Sequence, residues 1–127
     1  MYPLRDFLIV RQIPNATDAT DQIAFIAPFD CKLVAVEARW QTASSSGTLA
    51  IEKVPDGTAV GSGTDLLTAT MDLSATADTK ITGAISRAAG VNYIRKGQGV
   101  SFDFGGTVTN LVDLLVTLTF RQLKLRG

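Results

Sequence analysis

The chain has no histidine and a single cysteine among its 127 residues. Without histidine it lacks the commonest general base near neutral pH and the commonest zinc ligand, so no Ser-His-Asp or Cys-His nucleophile system can be assembled from this chain alone. A lone Cys31 forms no internal disulfide. Small secreted scaffolds usually carry an even set of cysteines, so synthesis inside a cell is favoured. Neither sign of charge is in excess, because twelve basic and twelve acidic residues cancel. Zero net charge gives no overall field to gather DNA, RNA or an anionic membrane. Residues 1–6 lack the basic, apolar and small order of a signal peptide. No apolar run approaches the ~20 residues that cross a bilayer, and no helical stripe, solenoid repeat or heptad run is visible.

What the chain has is alternation of period two. Val112, Leu114, Val116, Leu118 and Phe120 take every second position, with Asp113, Thr117, Thr119 and Arg121 between them and Leu115 as the exception. Side chains on a strand point alternately to opposite faces, so this segment reads as a strand with one apolar face. Phe7, Ile9 and Ile13 share one parity while Leu8 and Val10 take the other, the pattern of a first strand covered on both sides. Ile23, Phe25, Ala27 and Phe29 alternate next, and Pro28 marks an edge. Val34, Val36, Ala38 and Trp40 face one way, and after a Ser44-Ser45-Ser46-Gly47 turn Leu49 and Ile51 return, which predicts a hairpin. Pro55-Asp56-Gly57 signals a turn that opens a surface loop over 55–65. Leu67, Ala69, Met71 and Leu73, then Ile81, Gly83 and Ile85, then Val91 and Tyr93, then Val100, Phe102 and Phe104, complete the series before Gly105-Gly106 turns the chain into the last strand.

About eight strands with turns every 8–15 residues predict an all-β fold. No helical crossovers are visible, so the pairing is antiparallel. The expectation is a single two-sheet β-sandwich domain over 1–127, jelly-roll-like, with an immunoglobulin-like sandwich as the second choice. At the C-terminus the apolar parity switches after Phe120 to Leu123 and Leu125. Either a bulge re-aims the strand, or the last residues leave the domain and lie against a partner.

The remaining chemistry is sparse. Glu37, Glu52 and Asp103 are the carboxylates best placed for a glycosidase pair, but each falls on the polar parity of its strand, where a solvated sheet surface is expected. Asp56, Asp65, Asp72 and Asp78 fit turns, and their spacing matches no calcium loop. Gly61-Ser62-Gly63-Thr64 lacks the Lys-Ser/Thr ending of a phosphate loop. Trp40 shares the parity of Val34, Val36 and Ala38 and reads as a core residue, and Cys31 reads as a small buried apolar group. Arg121, Lys124 and Arg126 form the one basic concentration, suited to an acidic protein surface.

The middle of the chain carries a distinctive order: Gly57-Thr58-Ala59-x-Gly61, then Leu66-Leu67-Thr68, then Asp72-Leu73-Ser74. Lys96-Gly97-Gln98-Gly99-Val100-Ser101-Phe102-Asp103-Phe104 follows. Over residues 31–120 this resembles the small β-sandwich virion structural proteins of tailed bacteriophages, including capsid decoration or cement proteins. The resemblance implies a particle component with no enzymatic activity and no cofactor. It also implies that the major capsid protein or another virion protein is the partner, that copies cluster as a trimer, and that the protein resides on the phage particle after synthesis in the bacterial host cytoplasm. Nucleic acid and membrane are not expected partners. The segments expected to reach a partner are 1–6 and 122–127, with Tyr2, Pro3, Leu4, Arg5, Arg121, Leu123, Lys124, Leu125 and Arg126 as contact residues. The alternative is a carbohydrate- or receptor-binding module of a head fibre or tail, which requires exposed aromatics; the nine available (six Phe, two Tyr, one Trp) fall mostly on core parity.

Overall fold

The computed structural model describes residues 5–88 and 90–123. Among the described residues, ten strands form two antiparallel sheets that face each other as a β-sandwich. They are β1 (Asp6–Asn15), β2 (Gln22–Ile26), β3 (Cys31–Arg39), β4 (Thr48–Val54), β5 (Thr64–Asp65), β6 (Met71–Asp72), β7 (Ile81–Thr82), β8 (Tyr93–Ile94), β9 (Gly99–Gly105) and β10 (Val112–Gln122). The first sheet runs β1-β10-β3, with β7 and β8 both on the outer edge of β3. The second runs β2-β9-β4, with β5 and β6 both on the outer edge of β4.

The strongest alternation in the sequence becomes the centre of the first sheet. Leu114, Val116, Leu118 and Phe120 are fully buried, and β10 is paired along both edges. Burying each such side chain contributes about 1.5–3 kcal/mol. Across the sandwich they meet Leu49, Ile51, Val100 and Phe102, also fully buried. Phe7, Phe25, Phe29 and Phe120 make one aromatic cluster with ring centroids 4.8–5.9 Å apart, which closes the end of the core where β1 begins and β10 ends. Trp40 is 1% exposed and donates its indole N–H to the Ala75 carbonyl at 3.2 Å, a core residue as its parity predicts. Cys31 is likewise buried, and desolvation, helped by Asp30, pushes its thiol up to about 11.

Four expectations need correction. Strands β3 and β4 are not a hairpin: residues 40–47 carry the chain from one sheet to the other. Gln41 and Thr42 bond to Val112, and Ser44 to Leu73, instead of closing a two-strand turn. Second, Val34 does not share the core parity of Val36. The register between β3 and β10 slips between Thr119 and Phe120, leaving Val34 as the extra residue, so Leu33 and Cys31 point inward in its place. A similar slip at Ala24 turns Ala24 inward and leaves Ile23 exposed. Third, β1 is covered on one face only: Leu8 and Val10 are 60% and 52% exposed. Fourth, 67–73 is not a strand. Leu67 makes an isolated bridge to Ile85, and only Met71 and Asp72 pair with β4.

The turn signals are realised. Thr58 N–H bonds to the Pro55 carbonyl at 2.9 Å, and Gly57 has φ +85°. Gly106 has φ +65°, and a Cβ there would overlap the Ser46 carbonyl oxygen, so this turn requires glycine.

Candidate functional site

Antiparallel pairing decides which loops meet, and here it sorts charge by position. The start of β1 lies beside the end of β10 and the start of β3, since Asp6 pairs with Arg121 and Arg121 with Lys32. Lys32 in turn pairs with Tyr93 of β8. Gln122 N–H bonds to the Arg5 carbonyl at 2.9 Å, and Lys96 N–H bonds to Asp30 Oδ1 at 2.9 Å. Lys53 sends its ammonium across to the Tyr93 carbonyl at 2.9 Å. Arg87 lines the same cleft as Lys32 and Tyr93. One end of the sandwich therefore gathers Arg5, Lys32, Lys53, Arg87, Arg95, Lys96 and Arg121 against Asp6, Asp30 and, in the turn after β4, Asp56. Burial, reinforced by the nearby Arg95 charge, holds the Lys53 ammonium below its ordinary value, as expected where cations crowd.

The opposite end is acidic. Asp18 lies in the single 3-10 turn Ala16–Asp18 beyond β1, and Asp21 accepts the Phe104 N–H at 2.9 Å. Asp72 is paired with Thr48, Asp78 N–H bonds to the Trp40 carbonyl, and Asp113 follows the bridge between Thr42 and Val112. Arg39 and Lys80 are the neighbouring cations. The eleven residues of β10 place these poles about 35 Å apart. A chain of zero net charge thus carries a strong axial separation of charge, which acts on partners at close range.

A carboxylate chain lies on the outer face of the second sheet. Glu52 pairs with Ser101 across β4 and β9, and Asp103 stands two residues further along the same face. Glu52 is 4% exposed, not solvated as its parity suggested; the loop over 55–63 folds onto it, and Gly61 N–H donates to its Oε1 at 2.8 Å. Desolvation, then Asp21 and then Glu52, pushes Asp103 up to about 6. The Ser101 hydroxyl beside them is buried and unpartnered. Glu37, the third carboxylate singled out in the sequence, sits on the other sheet, paired with Lys80 at 2.8 Å. The structure therefore brings together Glu52 and Asp103, adds Asp21, and leaves Glu37 apart. Asp72 accepts from Ser74 N–H and hydroxyl at 2.9 and 2.6 Å, the turn role expected for it. Among the described residues, no group of three or more Cys, Asp or Glu side chains is placed to hold a metal ion.

Of the expected partner contacts, Arg5, Arg121 and Leu123 lie together at the basic pole. Arg121 makes an ion pair with Asp6 at 2.8 Å, which lowers the Asp6 carboxyl below its ordinary value and raises the guanidinium. Leu123 N–H bonds to the Asp30 carbonyl at 2.9 Å, so the chain is held to the domain through that residue. The register slip beside Phe120 puts its extra residue on β3, so β10 keeps its own alternation through Gln122, and the second residue of the parity switch, Leu125, lies outside the described residues. Tyr2, Pro3, Leu4, Lys124, Leu125 and Arg126 lie outside the described residues. Sequence reading missed the pole because Lys32, Lys53, Arg87, Arg95 and Lys96 are scattered along the chain and meet only through strand pairing. No protein-family model matches the chain, and neither a curated protein nor a solved structure matches it.

Proposed function

We propose that this protein is a bacteriophage virion structural subunit, a decoration or cement protein that sits on the head and is held there by its basic pole. The observation that carries the reading is that Arg5 and Leu123, the outermost described residues, flank the first sheet side by side at that pole, which gathers seven cations including Arg5. Two terminal segments starting from one place can grip the same neighbouring subunit, and a cationic end suits an acidic surface of the major capsid protein. The strand order supports the fold half of the resemblance. With β5/β6 and β7/β8 each counted as one interrupted strand, the sheets read 1-8-3-6 and 2-7-4-5, the order of two interlocked Greek keys in a jelly roll. Such a subunit does its work by adhesion, without an enzymatic reaction or cofactor. Copies arranged as a trimer about a capsid axis would direct their poles at the shell. It would be made in the bacterial host cytoplasm and reside on the particle.

The test is add-back of the purified protein to heads that lack it, read by co-sedimentation and cryo-EM. At about 50 mM salt the wild type binds, with a buried interface above about 1,000 Å² per junction. The double variant Arg95→Glu, Lys96→Glu loses binding while keeping its fold. Absence of wild-type protein from the sedimented heads sinks the proposal.

A further inference from the structure

The first sheet has a gap in its outer edge. β7 pairs with β3 at Glu37 and Ala38, β8 pairs at Cys31 and Lys32, and the extra residue Val34 lies between. A cleft of about 590 Å³ opens there, within the size range of small-ligand sites. Its polar lining is Lys32, Ser86, Arg87, Asn92 and Tyr93, and no carboxylate lines it. Lys32 and Tyr93 are direct cross-strand neighbours. Their flanking partners Cys31 and Ile94 are fully buried, so both side chains stand on the outer face. Tyr93 is 48% exposed, unlike the other aromatic residues among those described. Its backbone is fixed from behind by the Lys53 ammonium, which also reaches the Gly90 carbonyl at 3.4 Å. Asn92 is fixed too: its Nδ2 donates to the Leu33 carbonyl at 3.2 Å, and its Oδ1 receives no hydrogen bond among the described residues.

We propose that this cleft binds an oligosaccharide that carries carboxylate groups. Tyr93 supplies an aromatic face for a sugar ring. Arg87 and Lys32, which make no ion pair among the described residues, take the carboxylates. Asn92 Oδ1 and the Ser86 hydroxyl meet sugar hydroxyls. An acidic peptide added as a further strand is disfavoured because the β3 edge is already occupied. The Leu33 N–H bonds to the Asn92 carbonyl and its carbonyl to the Asn92 amide, while the Val36 carbonyl accepts from Gly83. Single-stranded nucleic acid is disfavoured because one exposed ring gives no succession of stacking platforms. The cleft borders the basic pole and shares Lys32 and Arg87 with it, whereas Tyr93 belongs to the cleft alone, so Tyr93→Ala separates ligand binding from attachment to the particle.

Saturation-transfer NMR and calorimetry on the full chain would test it, with trigalacturonate as the acidic probe, its methyl ester as the neutral one, and an oligo-aspartate peptide and an oligothymidylate as polyanion controls. Trigalacturonate is expected to bind, the ester at least ten-fold more weakly, and Tyr93→Ala and Arg87→Gln each to lower affinity ten-fold or more with unchanged circular dichroism. No trigalacturonate binding overturns the proposal. So does equal binding of the ester, or binding that survives both substitutions. Equal binding of either polyanion control shows general attraction to the basic pole and overturns it as well.

Discussion

Asp103→Asn should stabilise this protein, and only above a definite pH. Asp103 is pushed from 3.8 up to about 6 by burial and by the carboxylates of Asp21 and Glu52. Below about pH 3 it is mostly neutral in both the folded and unfolded chain, so almost no penalty exists. Between 3.8 and about 6 the unfolded chain releases the proton while the folded one keeps it, so stability falls as pH rises; above 6 the loss is constant. A difference of about 2 units sets a ceiling of about 3 kcal/mol. Asp103 is partly open to water, which screens the repulsion, so we expect about half of that, ~1–1.5 kcal/mol. Asparagine has the same shape, carries no charge, and offers an N–H to a neighbouring carboxylate. Urea unfolding followed by Trp40 fluorescence at about pH 3 and about pH 7.5 measures the difference directly. The variant should match wild type at the lower pH and exceed it by ~1–1.5 kcal/mol at the higher, with an unchanged m-value. A variant less stable at pH 7.5, or a gap equal at both values, refutes the carboxylate chain as a source of folded-state repulsion.

Phe120→Ala should cost about 3–5 kcal/mol in the same assay, because it empties the place that Phe7 and Phe25 stack against. Gly106→Ala should cost at least ~2 kcal/mol, from a left-handed backbone and the overlap with the Ser46 carbonyl. Ser101→Ala should be neutral or stabilising by up to ~1 kcal/mol, since it removes a buried hydroxyl that has no partner. Cys31, buried and with its thiol pushed up to about 11, should react with a thiol reagent at the rate of unfolding rather than at the rate of a free cysteine; a stoichiometric reaction within seconds in native buffer contradicts its placement.

The sequence shows its sheets more clearly than its crossings. Alternation at Leu114, Val116, Leu118 and Phe120 survives intact because β10 keeps a regular backbone between two partners. Where an extra residue enters, at Val34 and Ala24, the apolar pattern on one side of the slip predicts the wrong face on the other. The connection over 40–47 reads alike whether its strands pair or change sheets, because serine and glycine serve both. Glu52 looked solvated because parity sees only its own strand, whereas a loop from 55–63 covers it. The basic pole was invisible for a similar reason: only Arg121 belonged to a local cluster, and the rest arrive from distant parts of the chain.

The pairing of β1 with β10 has a consequence for how the protein is born. Asp6 and Arg121, joined by an ion pair, are 115 positions apart. During synthesis the first strand emerges long before its partner exists, and the first sheet cannot close until β10 has left the ribosome. Folding is thus expected to be slow, on the millisecond-to-second scale typical of strand pairings between distant segments. A nascent chain stalled before β10 emerges should stay open to protease, and one stalled after β10 has emerged should not.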